Sequence, residues 1–292
     1  MCSRANCIFK PVLLVFICGY VLFFPLLVTA DEKTQHQSSA CNTSKPIIFG
    51  ILPFVSAEQL VVRFSPIASY ISDKLKTRVH IETAPDFAEF AKRTNIDQRY
   101  DILFTAPHFY PPAHNKAGYR LIAGVDSPGM WAIIVTPEKS DIFTLDDLRG
   151  KRLATVHPKA LATLLIKKHL SDAGINPDTA LTLVATPSHD ASLLSSYHGI
   201  TDASSLMQPP YEAASETVKN NMRIIARTES TPHIPISVSP NISNACAEKI
   251  SEILLNMKQS KKGKQALSKN NFSGFKKTSA EDYKKMEVLL QQ

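Results

Sequence analysis

His108, His157 and His189 each fall at the turn between a strand-like apolar run and a stretch of helical spacing. An imidazole there, beside the free N–H groups of a helix start, can contact an anion or a carbonyl; the alternative is a helix cap or a surface ring. Lys159, two residues after His157, can add a charge to such a site or point to water. Ser188, His189 and Asp190 are adjacent in sequence and do not make a triad, whose members converge from separate segments. His108, His114, His157, His189, His198 and His233 lack i, i+4 pairing or cysteine clustering, so no metal centre is expected. Nucleophile elbow, P-loop and GxGxxG patterns are missing, and neither an enzyme nor a cofactor is expected.

The first thirty residues differ from the rest. Arg4 and Lys10 precede a nearly uncharged run, Pro11 to Ala30, ending in Val28-Thr29-Ala30, a small-residue pattern that signal peptidase accepts. Residues 1–30 read as an export signal, with an uncleaved membrane anchor as the rival; either way the body lies outside the cytoplasm, in the periplasm. Cys2, Cys7 and Cys18 belong to that leader, which leaves Cys41 and Cys246 as one possible disulfide or two unpaired thiols. A lipid on Cys41 is set aside, because Ser38-Ser39-Ala40 lacks the aliphatic residue such a site wants. The net charge of +7 is modest and concentrates in a lysine-rich tail, which reads as a solvated helix face; no nucleic-acid motif accompanies it.

These side chains need elements to position them. Residues 31–45 are polar, without apolar period, and read as a flexible tether. Ile47 to Leu52 predicts a strand, Ser56 a cap for a helix with Leu60, Phe64, Ile67, Ile71 and Leu75 inward, and Val79 to Glu82 the next strand. A helix from Asp86, a short strand Asp101 to Phe104 and a strand Tyr119 to Val125 follow. Trp131 to Val135 suits a buried strand, Thr144 an N-cap for a short helix, and Gly150 its end. Strand and helix then alternate again: strand 153–156, helix 159–173, strand 181–184, a helix from Ser188, a strand near Asp202, a helix from Pro209 and a strand 222–226. Asp101 and Asp202 are read as braces of their strands. Ile234 to Val238, bracketed by prolines, suits a return crossing, and a helical tail closes the chain.

In order and spacing, FGILPF (49–54), RFSPIASYISDKL (63–75), TAPDFAEF (83–90), YDILFTAP (100–107), SPGMWAIIV (127–135), FTLDDLRGKRLATVHP (143–158), SHDASLLSSYHGITDA (188–203) and IPISVSP resemble the periplasmic phosphate, phosphite and phosphonate binding proteins of ABC transporters. The likeness spans nearly all of residues 46–255. It implies an α/β, two-lobed Venus flytrap fold, each lobe a mainly parallel sheet flanked by helices. Lobe one is expected from 46–133 plus 237–292 and lobe two from 134–236, with two hinge crossings near 131–136 and 234–238.

The resemblance places the ligand between the lobes, and there the chain departs from the family. A family run of hydroxyl residues at the start of the first lobe-two helix wraps the phosphonyl oxygens; here the aligned stretch is His157-Pro158-Lys159-Ala160-Leu161-Ala162-Thr163. A family tyrosine aligns with Phe87 and another with Met130. Amine-gripping acids would fall near Gln208 or Pro209 and near Pro235 or Ile236, where this chain has no carboxylate, while His189 survives. Unsatisfied charge in a closed cleft costs several kcal/mol, so the swaps suit a less polar ligand. Phe87, Met130, Trp131 and Leu161 would be walls, and Thr105, His189 and Gln208 orienting groups. The ligand-binding set is completed by His108, His157, Lys159 and Ala160, although Trp131 can equally serve packing.

The function so implied is an exported solute-binding protein that closes on a small ligand for an ABC permease. The alternative is a periplasmic ligand sensor acting on a membrane signalling protein. In both, the membrane is met only through the partner or an uncleaved signal.

Overall fold

The chain winds twice through the same alternation of strand and helix, and the computed structural model describes it at Cys41 and residues 45–290. The leader, residues 1–30, and the tether apart from residues 41 and 45 lie outside the described residues. The first pass runs β1 (Ile47–Ile51), α1 (Ala57–Leu75), β2 (Val79–Glu82), α2 (Phe87–Asn95), β3 (Ile102–Phe104), α3 (Tyr110–Ala117) and β4 (Arg120–Val125). The second runs β5 (Ala132–Pro137), β6 (Arg152–Thr155), α4 (Leu161–Asp172), β7 (Thr182–Ala185), α5 (His189–Tyr197), β8 (Ala203–Met207), α6 (Gln208–Glu212), α7 (Glu216–Lys219) and β9 (Met222–Arg227). The chain then returns through β10 (Pro235–Val238) and ends in α8 (Asn244–Leu255), α9 (Lys261–Ser268), β11 (Phe275–Lys276) and α10 (Ala280–Lys284).

Local chemistry explains the helix starts. Ser56, Asp86, Ser188 and Ser243 each accept a hydrogen bond from the backbone N–H three residues on, satisfying a donor the helix itself cannot. Along α1 the inward positions Leu60, Phe64, Ile67, Ile71 and Leu75 are all buried, and the helix continues through Pro66. The expected N-cap at Thr144 is corrected. Only a short 3-10 turn, Asp146–Leu148, forms, and Asp147 Oδ2 reaches back to accept from the N–H groups of Phe143 and Thr144 and from the Thr144 hydroxyl. A carboxylate accepts several bonds at once, so it displaces the hydroxyl from the capping role.

Among the described residues one sheet has the order β11-β4-β10-β3-β1-β2 and the other β7-β6-β8-β5-β9. In the first, β1 is parallel to β2 and β3; in the second, β6 is parallel to β7 and β8. The exceptions inside the sheets are the strands that have just crossed over. β5 is antiparallel to β8 and β9, and β10 is antiparallel to β3 and β4. A chain leaving the carboxyl end of β4 or β9 enters the other sheet at the carboxyl ends of its parallel strands and has to run away from them, which reverses those strands. Both sheets are therefore mixed, within a two-lobed α/β fold.

Residues 131–136 and 234–238 fall largely within β5 and β10, and the links between sheets are 126–131 and 228–234. The links lie side by side. Met130 N–H donates to the Thr231 carbonyl and Thr231 N–H to the Met130 carbonyl, each at 2.8 Å. Gly129 permits that approach, since a Cβ there would sit 2.5 Å from the Thr231 carbonyl oxygen.

The two sheets share a bracing device. Asp101, just before β3, accepts from Ile48 N–H at 2.8 Å, and Asp202, just before β8, accepts from Arg152 N–H at 2.8 Å. Cys41 is buried and disulfide-bonded to Cys246 on α8, fixing one point of the segment read as a tether to the first lobe. At the other end, Met286 and Leu289 pack into the apolar core of the second sheet, while the Tyr283 hydroxyl donates to the His233 carbonyl. No described helix is long and apolar enough to cross a membrane.

Candidate functional site

A cavity of about 140 Å³ lies between the two sheets. Its first wall comes from the carboxyl ends of β1 and β3 and from the helix starts beyond them: Leu52, Phe54, Phe87, Phe104 to Ala106, His108 and Phe109. The opposing wall is the turn into α4, Lys159 to Ala162, with His189 at the start of α5 and Met207 at the end of β8. Met130 and Ile234, on the two links, close the hinge side. This is where parallel α/β sheets present ligands, outside the carboxyl ends of their strands.

Of the residues singled out by sequence, Phe87, Thr105, His108, Met130, Lys159, Ala160, Leu161 and His189 line this cavity. Trp131, His157 and Gln208 are placed elsewhere. Strand alternation sends Met130 toward the cavity and Trp131 to the opposite face, where it packs with Ile133 and Val135 under the Arg227 guanidinium, 3.8 Å from its ring centre. His157 is exposed and meets Phe87 edge-on across the rim, ring centres 4.9 Å apart, while its Nδ1 accepts from Lys159 N–H. The Gln208 amide donates to the Glu212 carboxylate one turn along α6. Leu52, Phe54, Phe104, Ala106, Phe109, Ala162, Met207 and Ile234 were missed. Position could have found several, because Leu52, Phe104 and Met207 end or follow strands whose carboxyl ends face the cleft.

Polar groups at this site are few. His108 is fully buried, and its Nε2 donates to the Lys159 carbonyl at 3.0 Å, joining the two walls. Burial pushes its pKa down to about 4 against the pull of that bond, so the ring is neutral at physiological pH. His189 is likewise pushed down to about 4 by burial, opposed by the nearby Asp190, and its Nδ1 accepts from Met207 N–H at 3.4 Å. Two buried atoms at the cavity wall, Thr105 Oγ1 and His108 Nδ1, have no protein partner. Ala160 caps α4 without a side-chain acceptor, so the first N–H groups of that helix are uncapped where Ala160, Leu161 and Ala162 face the cavity. Such an arrangement can enclose a small, largely apolar solute and orient its polar end. No cluster of three or more His, Cys, Asp or Glu able to hold a metal is found among the described residues.

Comparison with known proteins agrees with the two-lobed fold. The chain is 21% identical over 248 residues to the phosphonates-binding periplasmic protein of Escherichia coli (strain K12), a match covering 80% of this chain and 73% of that one. The fold resembles the binding protein component of an ABC phosphonate transporter from Pseudomonas aeruginosa, with a TM-score of 0.72 at 18% identity over 84% of this chain and 86% of that one. It also resembles PhnD1 from Prochlorococcus marinus (MIT 9301), solved in complex with methylphosphonate, with a TM-score of 0.74 at 18% identity over 85% and 97% of the two chains. The first two of these relatives are binding proteins. The description of a phosphonate periplasmic substrate-binding protein of ABC transporters matches residues 49–283, and the chain belongs to that family.

Proposed function

We propose that this protein is an exported solute-binding component that closes its two lobes on a small molecule less polar than a phosphonate dianion and passes it to an ABC permease. The observation that carries the reading is the composition of the cavity wall. Aromatic and aliphatic side chains dominate it, the two histidines are neutral, and Lys159, the charged residue among those lining it, is exposed. A dianion enclosed there would give up water for too few donors, at a cost of several kcal/mol. The lobes, taken as 46–133 plus 237–292 and 134–236, with Met286 and Leu289 reaching across to the second core, swing about the paired links at Met130 and Thr231. Ligand contacts made by both walls favour the closed state by their differential affinity.

Thermal unfolding of the purified protein against phosphate, phosphite, several phosphonates and a broad set of less polar metabolites tests this. A solute at about a hundred times its dissociation constant adds roughly 2.7 kcal/mol to the folded state. The expected result is a shift with a less polar compound. A shift confined to phosphonates overturns the altered specificity, and no shift across the whole panel overturns solute binding.

A further inference from the structure

Resting on the solute-binding reading above, we infer that the cavity takes an uncharged molecule of about six heavy atoms bearing both a hydrogen-bond donor and an acceptor on one small polar head, as a short branched aliphatic amide does. Size is the first constraint. An apolar protein cavity of ~150 Å³ accommodates a benzene ring, and this one measures about 140 Å³.

The donor requirement follows from His108. A carbonyl can only accept, so the 3.0 Å contact with the Lys159 carbonyl places the imidazole hydrogen on Nε2. Nδ1 is then a bare acceptor, buried, without a protein partner, on a residue that lines the cavity. A buried acceptor left unmatched is costly, and a ligand N–H or O–H recovers that cost. Thr105 Oγ1, buried and equally unpartnered, can serve the same head in either sense.

The acceptor requirement comes from the second wall. The opening N–H groups of α4 have neither an intrahelical acceptor nor a side-chain cap, and Ala160, Leu161 and Ala162 put that end at the cavity. His189 adds a further donor. Its Nδ1 receives Met207 N–H, so the ring hydrogen sits on Nε2. One wall thus asks for a donor and the other for an acceptor, and an amide supplies both without charge. A carboxylate or a phosphonate dianion supplies acceptors alone and would set a bare oxygen against His108 Nδ1, and a phosphonate monoanion still brings charge.

Calorimetry of the purified protein near neutral pH with four probes tests this: isobutyramide, its near-isostere 3-methyl-2-butanone, which accepts but does not donate, the anion isobutyrate, and methylphosphonate. Isobutyramide is expected to bind at least tenfold more tightly than each of the others. Equal binding of the ketone overturns the donor requirement, and tighter binding of isobutyrate or methylphosphonate overturns the uncharged class, in each case with solute binding itself intact. Failure of all four at millimolar concentration overturns the assigned size and class, and the wider unfolding panel then decides separately whether the cavity takes any solute.

Discussion

On its first-sheet side the cavity meets Leu52, Phe87, Phe104 and Phe109, side chains that also belong to the packed interior of that lobe, and the exposed Phe54. Phe104 lies 4.7 Å from the ring centre of Phe64 on α1 and 6.4 Å from that of Phe54, so the wall is the inner surface of a core. On the second-sheet side the cavity meets alanines, a leucine, Met207, His189 and the exposed Lys159, and the bare start of α4 adds main-chain donors. The first wall sets shape through aromatic packing and carries His108 and Thr105; the second adds main-chain donors on a surface whose Leu161, Ala162 and Met207 are also core. Substitution of the first wall's rings should therefore cost the most stability, and substitution at Ala160, which packs against the second core without belonging to it, should change chemistry at little cost.

The largest effect should come from breaking the first wall. Phe104→Ala removes a buried ring from the centre of an aromatic cluster and should lower unfolding stability by about 3–5 kcal/mol, read from urea midpoints. A loss below about 1 kcal/mol would show that the wall is not part of the core. Acid should strike both walls together. His108 and His189 have folded pKa values of about 4 against 6.5 for an ordinary imidazole. Between those values the unfolded chain binds more protons, so the stability due to neutral histidines is complete above pH 6.5 and is lost as pH falls toward 4. The loss is about 3 kcal/mol per ring. Urea midpoints compared above and below that window, in the parent and in His189→Gln, check the sign; the variant should lose less on acidification.

Smaller effects separate hinge from wall. Gly129→Ala should cost about 1–3 kcal/mol, because the new methyl meets the Thr231 carbonyl across the paired links. Unchanged stability would mean that the links part easily. Smallest of all, Ala160→Ser supplies the missing cap of α4. It should raise stability by about 1 kcal/mol and weaken binding of a ligand whose acceptor uses those N–H groups, because the new hydroxyl accepts from them. A more stable variant with unchanged ligand affinity would show that the ligand does not use the start of α4.

Much of the fold was readable from local chemistry. Ser56, Asp86 and Ser188 announced their helices because a side-chain acceptor three residues before a backbone donor acts within one turn. The inward stripe of α1 followed from helical period alone. Thr144 misled because hydroxyl and carboxylate compete for the same turn, and Asp147 accepts three bonds there. The site was read in part. Alternation along a strand already forbids Met130 and Trp131 from sharing a face, a rule that would have removed Trp131 from the ligand set.

By itself, then, the sequence determined the order of strands and helices, their caps and apolar faces, the alternation that builds two α/β lobes, and the loss of hydroxyls at the start of α4. Each of these is set within one or two turns of chain. Tertiary structure decided which faces meet across the cleft, the reversal of β5 and β10, and the pairing of Cys41 with Cys246 across 205 residues. It also decided that His108 donates to a carbonyl 51 residues away and keeps its other nitrogen bare. Those features depend on packing between distant segments, which no local period encodes.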